Sequence, residues 1–160
     1  MRNSEGANIS NRPSRLWLLI ALLGIAGLAV TTYLTSNALS HSDVACSVGG
    51  CNTVLGSKWS KIFGIPVSAF GMATYATIML GALHAYQSPI DDLRGRRIVV
   101  AVAAIGVLAS IVLTTIEFFV IKAACQYCIT SAILVVFVVV ALVVAARNEG
   151  PLWAMIRRRN

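Results

Sequence analysis

The chain has 160 residues and a formal net charge of +7, with 58% hydrophobic and 12% charged residues, whereas soluble domains average roughly 45–50% hydrophobic and about 25% charged residues. A soluble domain needs polar residues to cover its surface, and this chain has too few of them. The composition therefore indicates an integral membrane protein and excludes a disordered chain, a disulfide-dense miniprotein and a multi-domain protein.

The first apolar run, from Leu16 to Leu34, has 19 residues without a charge. At about 1.5 Å per residue, a helix of this length crosses roughly 30 Å of hydrocarbon. The apolar core of a cleaved signal peptide is usually only about 7–15 residues long, so we interpret this run as a membrane span.

Two further apolar stretches supply three more spans. Pro66 to Tyr86 begins with proline at a plausible first helical position. Ile98 to Ala146 has 49 residues and as one helix would measure about 74 Å, so it must fold back, most readily at the polar residues Lys122 to Cys125. The sequence predicts an all-α membrane protein, a four-helix bundle forming a single domain over 1–160, with spans near 16–38, 66–86, 98–121 and 125–146.

Basic residues predict the orientation of the bundle. Four spans put both chain ends and the 87–97 loop on one side, which then carries ten of the thirteen basic residues: Arg2, Arg12, Arg15, Arg94, Arg96, Arg97, Arg147, Arg157, Arg158 and Arg159. Cytosolic segments are enriched in Lys and Arg, so we expect cytosolic termini and an outer 40–65 loop. Because these arginines flank spans and no binding motif accompanies them, no nucleic-acid partner is expected.

All four cysteines fall on the predicted outer side, in two pairs. Cys46 and Cys51 are separated by Ser-Val-Gly-Gly, whose glycines let the backbone turn back and bring the two sulfurs within bonding range. Cys125 and Cys128 have a spacing that puts both sulfurs on one face of a helix start, where the helix dipole favours thiolates. We expect a mobile, exposed loop pair and a fixed pair at the membrane edge.

Two cysteine pairs in an oxidising compartment suit a thiol–disulfide relay. The sequence contains no nucleotide, flavin or haem motif, so by elimination a lipid-soluble quinone is the expected electron acceptor. Two other interpretations stay open at this point. In the first, the cysteines form two structural disulfides. In the second, they form a Cys₄ metal site in a non-enzymatic membrane protein.

Residues 54–65 place Leu55, Trp59, Ile62 and Phe63 on one helical face, which predicts a short interfacial helix. This helix either caps the bundle as a half-helix over a quinone pocket, with Trp59 or Phe63 as a wall, or merely anchors the loop to the membrane surface.

Glu117 lies within the third predicted span, about two turns before Cys125. An ionised carboxylate there is costly unless it is paired or hydrated. It either supplies or relays protons for quinone reduction, or it is a carboxyl near the outer interface that is hydrated or paired with Lys122.

At these residues the sequence resembles the vitamin K epoxide reductase (VKOR) family. The resemblance rests on four spans, a cysteine pair in the first outer loop, Ser57-Lys-Trp59, Phe63-Gly64, and Cys125-Gln-Tyr-Cys128-Ile-Thr opening the last span. It covers roughly residues 16–146. It implies a quinone-dependent thiol oxidoreductase of the prokaryotic inner membrane that oxidises a thioredoxin-like protein.

The resemblance also implies a role for each cysteine. Cys128 reacts with the quinone, Cys125 exchanges with a loop cysteine, expected to be Cys51, and Cys46 faces the partner's dithiol. Ser57 matches a serine in the family's capping helix, near the active site. No metal is expected.

The resemblance implies two partners. Many bacterial members carry a fused thioredoxin-like domain, for which 160 residues leave no room, so we expect a separate DsbA-like protein on the outer side. The quinone is ubiquinone, menaquinone or phylloquinone. DsbB-type disulfide oxidases, a different family, also use four helices and two cysteine pairs, but their C-x-x-C lies in the first outer loop, the reverse of the order here.

Overall fold

The computed structural model describes residues 15–40, 42–47, 49–87 and 93–148. Within them, four helices are long and apolar enough to cross a membrane, which confirms the predicted all-α four-helix class. Five of the arginines behind the orientation prediction, namely Arg2, Arg12 and Arg157 to Arg159, lie outside the described residues.

The helices and strands follow one another along the described chain with short connections. They are α1 (Arg15–Ser40), α2 (Cys51–Gly56), β1 (Lys61–Ile62), β2 (Ile65–Pro66), α3 (Val67–Gln87), α4 (Leu93–Thr115) and α5 (Gln126–Asn148). The end of α4 continues into one π-helical segment, Ile116–Ile121. The four long helices correspond to the predicted spans, although α4 begins before the expected start at Ile98.

The four long helices are arranged as a ring. α1 packs against α3 and α5, and α4 packs against the same two helices. Many large apolar side chains, such as Leu22, Ile105 and Phe137, are exposed on the outer faces of the helices. Apolar outer faces are what a helix surrounded by lipid requires.

The interior has two buried clusters at different depths. The larger cluster joins all four long helices and includes Ile20, Ile78, Val99 and Val138, each fully buried. The smaller one lies at the end of the bundle that carries the four cysteines, which we call the cysteine end, and contains Leu34, Val44, Cys51, Val54 and Cys125.

Tyr75, a buried member of the larger cluster, contacts two other helices. Its ring lies directly against Gly27 of α1, at a place where any larger side chain would collide with it. Its hydroxyl donates a hydrogen bond of 2.5 Å to the backbone carbonyl of Ser131 in α5. One side chain of α3 thereby contacts its neighbour α1 and also reaches α5, on the opposite side of the ring.

The predicted helix over 54–65 differs from the observed structure. α2 ends at Gly56, since Ser57 is extended and donates a hydrogen bond of 2.7 Å from its hydroxyl to the Val54 carbonyl. One 3₁₀ turn follows at Lys58–Ser60, and then β1 and β2 pair as a hairpin. Phe63 and Gly64, with φ of 52° and 83°, form the two-residue turn, because consecutive positive φ angles match the twist of a tight hairpin. The spacing of the apolar residues predicted one continuous helix, because that pattern carries no information about the φ angles of Phe63 and Gly64.

Candidate functional site

The loop cysteines are joined to each other. Cys46 and Cys51 form a disulfide with their Cα atoms 5.9 Å apart. Gly49, with a φ of 79°, supplies the turn that the spacing suggested. The pair is less exposed than expected, because Cys46 is partly buried and Cys51, the first residue of α2, is completely buried.

The second pair opens α5, and both of its sulfurs are free thiols. Cys125 is the N-cap of the helix, since its carbonyl accepts a hydrogen bond of 3.0 Å from the N–H of Ile129. Its sulfur accepts a hydrogen bond of 3.4 Å from the N–H of Cys128, in the way that a capping side chain satisfies the third helical residue.

This position favours the thiolate of Cys125. A hydrogen bond from the Cys128 thiol lowers the pKa of Cys125, and the backbone N–H groups of Cys128 and Tyr127 act in the same direction, against the effects of burial and of the nearby Glu117 carboxylate. The positive end of the α5 dipole has the same sign of effect. Of the two thiols in this pair, Cys125 is therefore suited to exist as the anion.

The two pairs meet through one buried cluster. Cys51 and Cys125 each have no exposed surface and share this cluster with Leu34, Val44 and Val54. The backbone of Gly50 lies against that of Ala124, so closely that a Cβ at position 50 would overlap the Ala124 peptide. The residues just before the two buried cysteines are thus held in direct contact, which brings the loop disulfide to the start of α5.

Loop residues also bond to the side chains between Cys125 and Cys128. The Tyr127 hydroxyl donates a hydrogen bond of 2.9 Å to the carbonyl of Ala45. The N–H of Ser47 donates one of 3.1 Å to the side-chain oxygen of Gln126. The sequence analysis did not single out Gln126 or Tyr127, and no local signal marks them, because their contacts are with a loop about 80 residues earlier in the chain.

Glu117 connects the end of the third span to the start of the fourth. It is 2% exposed, and its carboxylate accepts a hydrogen bond from the N–H of Cys125. Its backbone carbonyl accepts hydrogen bonds from the N–H groups of Lys122 and Ala123 at the end of the π-helical segment. Lys122 adopts a left-handed conformation with a φ of 55°, which ends the helix and turns the chain towards α5. Glu117 thus holds Cys125 in place at this turn.

A cavity of about 500 Å³ opens beside these residues, between the long helices and the loop. Of the four cysteines, Cys128 lines this cavity and the other three do not. Glu117, Ser57 and Trp59 line it as well. The two thiols of the C-x-x-C motif therefore differ in access, since Cys125 is fully buried in the cluster with Cys51, whereas Cys128 packs against the edge of that cluster and also lines the cavity.

Phe63, which the sequence analysis offered with Trp59 as a wall of the pocket, lies elsewhere. It is at the tip of the hairpin and is fully exposed, and it is not among the residues that line the cavity. Trp59 precedes the hairpin and remains at the cavity.

Polar groups along the cavity wall were missed in the sequence. Thr31, Ser68, Tyr75 and Ser131 line it, and Thr35 donates a hydrogen bond of 2.9 Å to the Ser68 hydroxyl. Their only signal in the sequence is a hydroxyl within an apolar span, and hydroxyls in spans commonly bond to the preceding turn of their own helix. The volume lies within the range of roughly 300–1,000 Å³ for small-molecule pockets, and an apolar wall with a few polar groups is typical of such pockets.

Residues 18–144 match the family model described as the vitamin K epoxide reductase family. The match covers most of the chain and includes all four cysteines, Ser57, Trp59 and Glu117.

The bond between Glu117 and the Cys125 N–H predicts a stability difference between two substitutions. In Glu117→Leu the buried N–H has no acceptor, and we expect the free energy of unfolding to fall by about 1–3 kcal/mol. Glu117→Gln keeps an acceptor oxygen and should lose less than about 1 kcal/mol. Thermal unfolding of the detergent-solubilised variants measures this, and equal midpoints for the two would contradict the contact.

Proposed function

The chain belongs to the vitamin K epoxide reductase family, and we propose that it oxidises a separate thioredoxin-like protein and passes the electrons to a membrane quinone. Members of this family are quinone-linked oxidoreductases, and the four apolar helices make this one a multi-pass membrane protein. We propose that it resides in the prokaryotic inner membrane with both termini in the cytosol. The excess of basic residues on that side supports this orientation.

One observation carries the proposed path of the electrons. Cys51 and Cys125 are buried in the same cluster, while Cys128 lines the cavity. Cys46 is partly buried whereas Cys51 has no exposed surface, so Cys46 is the loop cysteine that a soluble partner reaches more easily. The order from the partner to the membrane is therefore Cys46, Cys51, Cys125 and Cys128.

The first exchange moves two electrons from the partner into the loop. A partner thiolate attacks the Cys46 sulfur, and the loop disulfide breaks to release Cys51 as a thiolate. The partner's second thiol then displaces Cys46 and leaves the partner with a disulfide. The loop has gained two electrons and, as its thiolates are protonated, two protons.

The second exchange passes these electrons to the C-x-x-C pair. Cys51 attacks Cys125 of a Cys125–Cys128 disulfide and releases Cys128. Cys46 then attacks Cys51, which restores the loop disulfide and releases Cys125. The result is a closed loop disulfide with two free thiols at 125 and 128, and the structure has this bonding pattern.

The cavity is the proposed site of the last step. A bound quinone accepts two electrons and two protons. Cys125 and Cys128 give up two electrons and two protons and join as a disulfide, with Cys128 as the thiol at the cavity wall. Ser57 and Trp59 hold the ring, and Glu117, which lines the cavity and bonds to the Cys125 backbone, is the proposed route for protons. Ubiquinone, menaquinone and phylloquinone can each accept two electrons and two protons in this way.

The other interpretations fit these contacts less well. A Cys₄ metal site needs four thiolates, but the sulfurs of Cys46 and Cys51 are bonded to each other. Two structural disulfides would require Cys125 and Cys128 to be bonded to each other, but both are free thiols. A DsbB-type enzyme carries its C-x-x-C in the first outer loop, where this chain has Cys46 and Cys51.

Replacing the thiol at the cavity tests the proposal. We expect Cys128→Ser to abolish continuous oxidation of a reduced thioredoxin-like protein by added ubiquinone or menaquinone. The variant should still oxidise about one equivalent of the partner, because its loop disulfide is intact. Counting partner disulfides per enzyme with a thiol-alkylating reagent distinguishes one equivalent from many. Continuous turnover at the wild-type rate in Cys128→Ser would overturn the role of this thiol.

Trp59 tests whether the loop covers the quinone. We expect Trp59→Ala to raise the apparent KM for quinone about tenfold, because a large aromatic wall is lost, while the KM for the thioredoxin-like partner changes little. Phe63→Ala is the matched control, an aromatic residue of the same loop outside the cavity lining. An unchanged quinone KM in Trp59→Ala, or an equal rise in both variants, would show that the loop acts only as a membrane anchor.

A further inference from the structure

The two residues between Cys125 and Cys128 bind the loop on either side of Cys46. Tyr127 bonds to the carbonyl of Ala45 at 2.9 Å, and Gln126 bonds to the N–H of Ser47 at 3.1 Å. The relay described above uses neither side chain. Both hydrogen bonds go to the backbone of the loop, so they depend on where the loop lies and not on which residues it carries.

These bonds continue the contact between Gly50 and Ala124. Along the loop the contacts fall at Ala45, Ser47 and Gly50, and along the start of α5 they fall in the opposite order, at 127, 126 and 124. The two segments therefore run antiparallel. This register puts Cys51 next to the end where Cys125 follows Ala124, and it leaves Cys46 between the two hydrogen bonds.

The ring of Tyr127 is itself held in position. It packs against the ring of Tyr33 in α1, with a centroid separation of 5.3 Å. Its contact with the buried cluster of Cys51 and Cys125 provides a second support. The hydroxyl is thus presented to the loop from a ring that rests on two other parts of the bundle.

We propose that Gln126 and Tyr127 are positioning residues for the exchange between Cys51 and Cys125, because they keep the loop docked on α5 while its disulfide opens and closes. This inference rests on the proposed function. The two hydrogen bonds are made to backbone atoms, so they persist when the Cys46–Cys51 bond is broken. Cys51 is then released as a thiolate already beside Cys125, and a reaction between prepositioned groups is much faster than one between groups that must find each other.

The docked loop also determines which of its cysteines faces the partner and which faces Cys125. With backbone hydrogen bonds on both sides, Cys46 keeps its partly buried position. There the partner's thiolate forms a bond to it as the Cys46–Cys51 bond breaks. Without the docking, the loop pair would have the mobility that its glycines allow. Cys46 and Cys51 would then compete for Cys125, and exchange would slow.

A single-turnover experiment separates this role from the rest of the relay. The fully reduced enzyme is mixed with excess ubiquinone or menaquinone, quenched over time with an alkylating reagent, and the thiols at each cysteine are counted by mass spectrometry. In the wild type, Cys125 and Cys128 oxidise first, and the loop pair follows as its electrons pass to them.

In the double variant Gln126→Leu/Tyr127→Phe, we expect oxidation of Cys125 and Cys128 at the wild-type rate. Oxidation of Cys46 and Cys51 should be slower by about fivefold to a hundredfold, because the loss of two hydrogen bonds lowers the fraction of molecules in which the loop is docked on α5. The single variant Gln126→Glu keeps an acceptor oxygen and the native Tyr127. Its loop pair should therefore oxidise faster than the loop pair of the double variant. Thr130→Val is the matched control, because the Thr130 hydroxyl is exposed and bonds to its own helix.

The outcomes are distinct. Oxidation of the loop pair at the wild-type rate in the double variant would overturn the positioning role, and so would equal slowing of both pairs, which indicates general distortion of the site. If neither ubiquinone nor menaquinone oxidises Cys125 and Cys128 in the wild-type enzyme, this result would instead refute the proposed function on which the inference rests.

Discussion

Close contact between two short backbone segments underlies the whole arrangement at the cysteine end. Gly50 and Ala124 touch so closely that no side chain fits at position 50. Each is followed by a fully buried cysteine, Cys51 in one case and Cys125 in the other. A glycine is required here for the absence of its Cβ and not for an unusual φ. This contact, together with the hydrogen bonds of Gln126 and Tyr127 to the loop, makes neighbours of two pairs that are distant in sequence.

The end of the third span determines the second half of the site. The π-helical segment, the left-handed Lys122 and the buried carboxylate of Glu117 together form a turn that leaves Cys125 outside α5 as its N-cap. The sulfur of Cys125 therefore lies over the helix end, towards the loop. Cys128, three residues later and within the helix, lies at the cavity. One motif thus presents a thiol to each of two environments, as a relay between a protein thiol and a membrane-soluble acceptor requires.

Much of this was predictable from the sequence because it depends on local properties. The lengths of apolar runs determine the four spans, and the spacing of Cys46 and Cys51 with two glycines between them suggests their bond. The hairpin at Phe63 was not predictable from apolar spacing, since a two-residue turn depends on φ angles that the pattern does not report. The burial of Cys51 and the contacts of Gln126 and Tyr127 arise only when the loop meets α5. The hydrogen bond from the Cys125 N–H to the Glu117 carboxylate likewise forms only when the chain turns back after the π-helical segment.

The central claim is that electrons cross from the loop to the C-x-x-C pair through a bond between Cys51 and Cys125. The most direct measurement is mass spectrometry of Cys46→Ala after oxidation by quinone and alkylation of the remaining thiols. With no Cys46 to resolve it, the Cys51–Cys125 disulfide should accumulate, with Cys128 alkylated. A Cys125–Cys128 disulfide as the sole product, with Cys51 alkylated, would contradict the account.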